Sequence, residues 1–195
     1  MCMARPRSFD RYQVLDRALD AFWQRGYEAT SVQHLVDAMG ISRASLYNAF
    51  GSKRELFIEV LRHYEAQRMQ EMVDRLLDPS KPAPSIIRQV LEEAAQPDET
   101  EERGCLMTNT AIEMCMRDVE CATQVQVNFD RLTDAFAAAV RRGQDTGDLG
   151  LDREPCAVAR YLTNALQGIR VMTAAGTDAD ALNDIVNVTM QAIDE

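Results

Sequence analysis

The sequence predicts an all-α protein of about nine helices, with a three-helix N-terminal head and a larger C-terminal helical bundle. Three observations predict it. Apolar residues recur at spacings of three and four along most of the 195 residues. No stretch of useful length alternates apolar and polar side chains as a half-buried strand would. The helical stretches are separated by strong breakers: Gly26, Gly40, the three prolines of Asp78–Pro84, Gly147-Asp148 and Gly176. A hydrophobic content of 46% is ordinary for a globular chain and enough for a sizeable core.

Residues 1–9 carry Arg5 and Arg7 around Pro6 and read as a basic arm of the kind that reaches phosphates or a minor groove. From Asp10 onward, Val14, Leu15, Ala18, Leu19 and Phe22 mark a first helix that Gly26 closes. The next stretch, Thr30 to Phe50, reads as two short helices around a tight turn. Thr30 is the expected cap of the first, with Gln33 returning the hydrogen bond, and Val32, Leu35, Val36 and Met39 share one face. Gly40 ends it and Ile41 plugs the corner. Ser42 caps the second helix, in which Leu46 and Phe50 seat it on the first. Arg43, Ala44, Ser45, Tyr47 and Asn48 then remain exposed. These short, hydrogen-bonding or aromatic side chains suit a surface pressed into a DNA major groove, where an acidic side chain would be repelled.

Ser52 and Glu55 form the capping box of a following helix, expected to run through Leu56, Phe57, Val60, Leu61 and Tyr64 to Leu77. Lys53 in its first turn is placed to hold a phosphate together with free backbone N–H groups. Beyond the proline break, helices are expected from Ser85 to Ala95 and from Gly104 to Met116. A long helix along the seam Ala122, Val125, Phe129, Leu132, Phe136 and Ala139 ends at Gly143 and Gly147. Asp152 caps the next helix, with Pro155 in its first turn, and a final helix begins near Asp178. The last two helices carry apolar residues on more than one face, as a four-helix dimer interface requires.

Charge divides along the chain. Residues 1–64 hold nine Lys/Arg against seven Asp/Glu, net +2, and residues 65–195 hold twelve against twenty-four, net −12. That split places nucleic-acid contact in the N-terminal third, beside a body that repels phosphate. No apolar run reaches the roughly 18 residues of a membrane span, and no signal peptide is visible, so a cytoplasmic protein without membrane contact is expected. Five cysteines without a CxxC pair indicate neither a disulfide framework nor a zinc site. His34 and His63 are isolated from acidic residues at ligand spacing and read as structural or solvated, and neither metal nor cofactor is expected.

On the residues GYEATSVQHLVDAMGISRASLYNAFGSKRELF, Gly26 to Phe57, the head resembles the tetracycline-repressor (TetR) family of bacterial transcription regulators. The turn glycine, the LY pair, the phenylalanine and S-K-x-E-L-F all fall at the family's spacings. RGCLMTNTAIEM, Arg103 to Met114, is similar to a segment opening a helix in one subgroup. The resemblance implies a homodimer that binds a palindromic double-stranded DNA operator, usually as a repressor released by a small-molecule effector, and no enzyme. The chain is accordingly expected to divide into a DNA-binding domain at 1–64 and an effector-binding and dimerisation domain at 65–195. Thr30, Ser42, Tyr47 and Lys53 match family positions that usually contact phosphate, and Arg43, Ala44, Ser45 and Asn48 match positions facing the groove. Two positions depart from the pattern: Ala49 stands where a histidine is frequent, and Val36 where a small residue is usual.

In the body, Cys105, Met107, Met114, Phe129, Tyr161 and Asn164 are candidates to line an effector cavity, with Met69, Met72 and Met172, because methionine accommodates varied ligands. Cys105 also opens a helix beside Gly104 and Arg103, where a helix N-terminus and a cation favour a thiolate. That leaves two alternatives open. One is a regulator that senses oxidants or electrophiles through Cys105; the other is a small thiol-dependent enzyme, which lacks a His or carboxylate partner in sequence.

Overall fold

A computed structural model describes residues 9–96, 104–150 and 152–194. Among the described residues the regular structure is helical: α1 (Arg11–Ala29), α2 (Val32–Met39), α3 (Arg43–Phe50), α4 (Lys53–Tyr64), α5 (Gln70–Leu77), α6 (Ala83–Ala94), α7 (Leu106–Glu113), α8 (Val119–Thr146), α9 (Pro155–Ala174) and α10 (Ala179–Asp194). α4 and α5 are joined without a break by a π-helical turn, Glu65–Met69, so the described residues form nine helices, α1 kinked at Gly26. The Arg5/Arg7 arm lies outside the described residues.

Local chemistry explains most of the ends. Asp10 caps α1 by accepting from Tyr12 N, and Asp118 caps α8 by accepting from Glu120 N and Cys121 N. Gly40 closes α2 at φ 66°, a left-handed conformation that glycine adopts without steric cost. Other ends differ from the sequence expectation. α2 is capped by Ser31, whose hydroxyl accepts from His34 N while His34 Nδ1 accepts from Ser31 N. Gln33 instead bonds Asp37. Thr30 belongs to the end of α1, where its hydroxyl donates to Gly26 O at 2.6 Å. At Ser52 only half of the expected box forms, since Glu55 N donates to the Ser52 hydroxyl but Ser52 N donates to Phe50 O. Glu154, not Asp152, caps α9. Gly143 lies inside α8 rather than ending it; Leu149 packs so closely there that a Cβ would come within 2.7 Å of its Cδ1.

Two buried clusters organise the molecule. The first joins α5, α6, α9 and α10 to the C-terminal two-thirds of α8, with Ile87, Leu91, Phe136 and Leu162 fully enclosed. The second holds the head together around Phe22, Leu35, Leu46 and Phe57, and it also contains Cys105, Leu106, Met107, Met114, Cys121 and Val125. Thus α7 and the start of α8 complete the core of the head. Each fully enclosed Leu or Phe contributes on the order of 1.5–3 kcal/mol relative to an exposed one, so the head and this part of the body are packed as one unit.

Polar links run across the same junction. Arg54 grips Asp118 through Nε at 2.5 Å and Nη2 at 2.9 Å. Arg54 and Arg62 share Glu120, and Arg131 of α8 reaches Glu65 at 2.6 Å. Trp23 Nε1 donates to Gly104 O at 3.0 Å.

Candidate nucleic-acid interface and adjoining cavity

The turn from α2 to α3 is rigid for local reasons. Leu46 is fully buried and Phe50 nearly so, and both press α3 onto α1, α2 and α4. Ser42 caps α3 by accepting from Ser45 N at 3.0 Å, and the two hydroxyls lie 2.9 Å apart. With that face buried, Ser42, Arg43, Ala44, Tyr47 and Asn48 are exposed together and Ser45 is half-buried among them. A short helix that presents small, amide, guanidinium and phenol groups from a fixed seat has the shape and donors to read base edges and phosphates.

Thr30 is not part of this surface. Its residue exposure is 0% and its hydroxyl is spent on Gly26 O and Ala21 O, so the exposed hydroxyl at this turn is that of Ser31. Lys53 is half-buried, its ammonium 4.2 Å from the centroid of the Tyr27 ring. Burial lowers its pKa, with Glu28 and then Glu113 opposing. Sequence reading missed Tyr27 as the seat of this lysine. It also missed Arg11, which stacks its guanidinium 4.4 Å from the Phe50 ring and pairs with Glu59. Neither has a local signal, because each contact joins residues on different helices. His63, expected without an acidic partner, lies 2.7 Å from Asp16 of α1.

The candidate effector residues divide. A cavity of about 320 Å³ opens between the head and the body, lined by Trp23 of α1, Tyr64 at the end of α4, Arg68, Met72, Arg75, Cys105 and Arg170 among others. Of the expected set only Cys105 lines it, with Met72 from the wider methionine group. Met107 and Met114 are buried in the core of the head and Phe129 packs half-buried against that core, while Met69 is core of the body. Tyr161 and Met172 are 41% and 37% exposed on α9, and Asn164 is exposed as well. At helical spacing Tyr161, Asn164 and Met172 share one outward face of α9, beside a shallow depression that Tyr161 lines with Val158 and Ile193. Periodicity marked these residues as apolar or polar but did not tell an interior face from an outward one.

The cavity is more polar than expected. Arg75 is held by Glu93 at 2.7 and 2.8 Å. Cys105 is buried and its Sγ lies 3.9 Å from the Tyr64 hydroxyl. Burial pushes the thiol up, but Arg170, followed by hydrogen bonds from Thr108 and Tyr64, outweighs it, and the thiol falls below its ordinary value. Cys121 behaves oppositely: burial first, then Asp118, pushes it up to about 12. Among the described residues no group of three or more His, Cys, Asp or Glu is arranged to hold a metal ion, and no helix is long and apolar enough to cross a membrane.

A fixed helix-turn-helix reader on an all-helical body defines the class of helical DNA-binding regulators. Comparison with known proteins gives the family. Residues 14–60 match the model for bacterial regulatory proteins of the tetR family, and residues 85–189 match the tetracyclin repressor-like C-terminal domain. The chain is 34% identical over 195 residues to the uncharacterized HTH-type transcriptional regulator YezE of Bacillus subtilis, covering 98% of this chain and 100% of that protein. To the HTH-type transcriptional repressor ComR of Escherichia coli it is 26% identical over 189 residues, covering 96% and 90%. It also superposes on a cysteine mutant of the TetR family transcriptional regulator CifR complexed with 26bp double-strand operator DNA, with a TM-score of 0.84, 34% identity, and coverage of 96% and 99%. The chain belongs to the tetR family and is a DNA-binding transcriptional regulator.

Proposed function

We propose that this protein is a cytoplasmic, homodimeric repressor that binds a palindromic double-stranded operator and is released from it by a small-molecule effector. The observation that carries the reading is the placement of the cavity. It is walled by Trp23 of α1 and Tyr64 at the end of α4, the helices that carry the α2–α3 reader, so an occupant touches the frame of the reader directly. The outward face of α9, with Tyr161 and Met172, and the exposed Val188 of α10 offer the apolar surface on which a second copy would pack. The two α3 helices must then stand about 34–36 Å apart to enter successive major grooves. An effector regulates by favouring a pocket shape that belongs to a different separation. CifR, 34% identical, is described in complex with operator DNA, which supports the same partner here.

Titration of an operator duplex against random duplex of equal length tests this. Tyr47→Ala and Lys53→Ala are each expected to weaken operator binding by about 1–3 kcal/mol, roughly fivefold to 150-fold. Unchanged affinity in both variants, with the fold intact, would overturn the assignment.

A second reading is supported by the lowered thiol of Cys105 in the wall of that cavity: a regulator released when an electrophile or oxidant reaches this sulfur. Cysteines were also the residues replaced in the CifR complex. Alkylation that leaves operator binding intact, or a Cys105→Ser variant with normal release, decides against it.

A further inference from the structure

α1 breaks shortly before its end. Gly26 takes φ 75° and ψ 174°, which takes the next amides out of the regular helical ladder. Tyr27 N and Glu28 N therefore need acceptors from elsewhere. Both are found on α7, where Glu113 Oε2 accepts from Tyr27 N and Glu113 Oε1 from Glu28 N, each at 2.8 Å. The break and the carboxylate are fitted to one another, since a Cβ at Gly26 would stand 2.9 Å from Glu113 Oε2.

One cost opposes this arrangement. Glu113 is the last residue of α7, where the helix macrodipole disfavours an anion. Its charge also acts on Lys53, favouring the charged ammonium against the burial that opposes it. Two charge-assisted hydrogen bonds offset the cost at the helix end. What the bonds hold is the direction in which the chain leaves α1. Tyr27 carries Lys53 on its ring, Thr30 is locked inward, and Ser31 caps α2 immediately afterwards.

We propose that Glu113 is a positioning residue for the DNA reader, its carboxylate fixing the path from α1 into α2 and with it the attitude of α2 and α3. The inference rests on the operator-binding reading above. The two ends of α7 grip the C-terminal part of α1: Gly104 O, just before α7, accepts from Trp23 Nε1, and Glu113, the last residue of α7, closes on Tyr27 and Glu28. Because Trp23, Gly104 and Cys105 line the cavity, α7 spans from the effector space to the entry of the reader.

The test uses the full-length chain and an operator duplex that the wild-type protein selects from a random-sequence pool, read by fluorescence anisotropy against random duplex. Glu113→Gln keeps the shape, removes the charge, and sets an amide N–H against a backbone N–H. If Glu113 mattered only as a charge near phosphate, its removal would strengthen binding to every duplex. Positioning predicts the opposite for the operator: affinity falls about tenfold while affinity for random duplex is unchanged or rises. Gly26→Ala, which crowds the same carboxylate, is expected to give the same loss of preference, and the double variant to lose little more than either alone. Glu120→Gln, another acid at the head–body junction, serves as the charge control and keeps the wild-type ratio. All variants are compared below the onset of their thermal unfolding. A wild-type ratio of operator to random affinity in Glu113→Gln, or additive losses in the double variant, overturns the proposal. A wild-type chain that selects no duplex defeats the operator reading itself, and this inference with it.

Discussion

Thr30→Val separates two readings of one residue that sit a single position apart in sequence. Valine keeps the branched shape and removes the hydroxyl, which in the structure donates to Gly26 O at 2.6 Å and lies 3.3 Å from Ala21 O. The site has 0% exposure, so no water replaces the lost donor. A buried hydrogen bond contributes about 0.5–1.5 kcal/mol net, and about 1–3 kcal/mol where its acceptor is left without a partner. The added methyl returns up to about 0.8 kcal/mol. The balance is a destabilisation of about 1–2 kcal/mol. With a urea dependence of about 2 kcal/mol per molar, the unfolding midpoint drops by roughly 0.5–1 M, measured at fixed protomer concentration because association adds to stability. Operator affinity of the folded variant stays within about twofold of wild type, since the side chain is enclosed in the head and offers no exposed surface to DNA. Ser31→Ala, by contrast, removes an exposed cap worth about 1 kcal/mol and lowers both stability and affinity. Native stability in Thr30→Val together with operator binding weakened fivefold or more would refute the reasoning, because it would mean that the hydroxyl turns outward to phosphate in the complex.

Two further outcomes follow from the junction and the bundle. Hydrogen bonds from Arg54, and then from the amides of Cys121 and Glu120, hold the Asp118 carboxyl down from its ordinary 3.8 to about 2; a group depressed in the folded state stabilises fully above its unfolded pKa, so the link is intact above about pH 4 and is lost as pH falls toward 2. Thermal unfolding followed from pH 5 to pH 2 should show that fall, and Asp118→Asn, which keeps a cap, should flatten it. Gly143→Ala should lower the melting temperature despite the roughly 1 kcal/mol that alanine gains over glycine inside a helix, because its Cβ would meet Leu149 Cδ1 at 2.7 Å and Ala83 Cβ at 3.2 Å; a raised melting temperature in calorimetry would show that Leu149 yields freely.

The sequence by itself determined what rests on short-range order. The reader was legible because its parts lie within one stretch: Ser42 caps α3, Gly40 takes the left-handed turn, and Leu46 and Phe50 lie four apart on the buried side. The same holds for the seam of α8 and for the break at Asp78–Pro84, since the 3.6-residue period and proline's missing N–H act within a few residues. Tertiary structure decided the rest. Ser31 rather than Thr30 caps α2 because α1 breaks at Gly26 and its loose end is taken up by Glu113, 86 residues from Tyr27. Lys53 lies on Tyr27, and the cavity is walled by Trp23, Tyr64 and Arg170 rather than by Met107 and Met114, because each placement depends on which face of one helix meets another. Periodicity shows that a helix has an apolar face; the partner of that face is set by long-range packing, on which local spacing has no bearing.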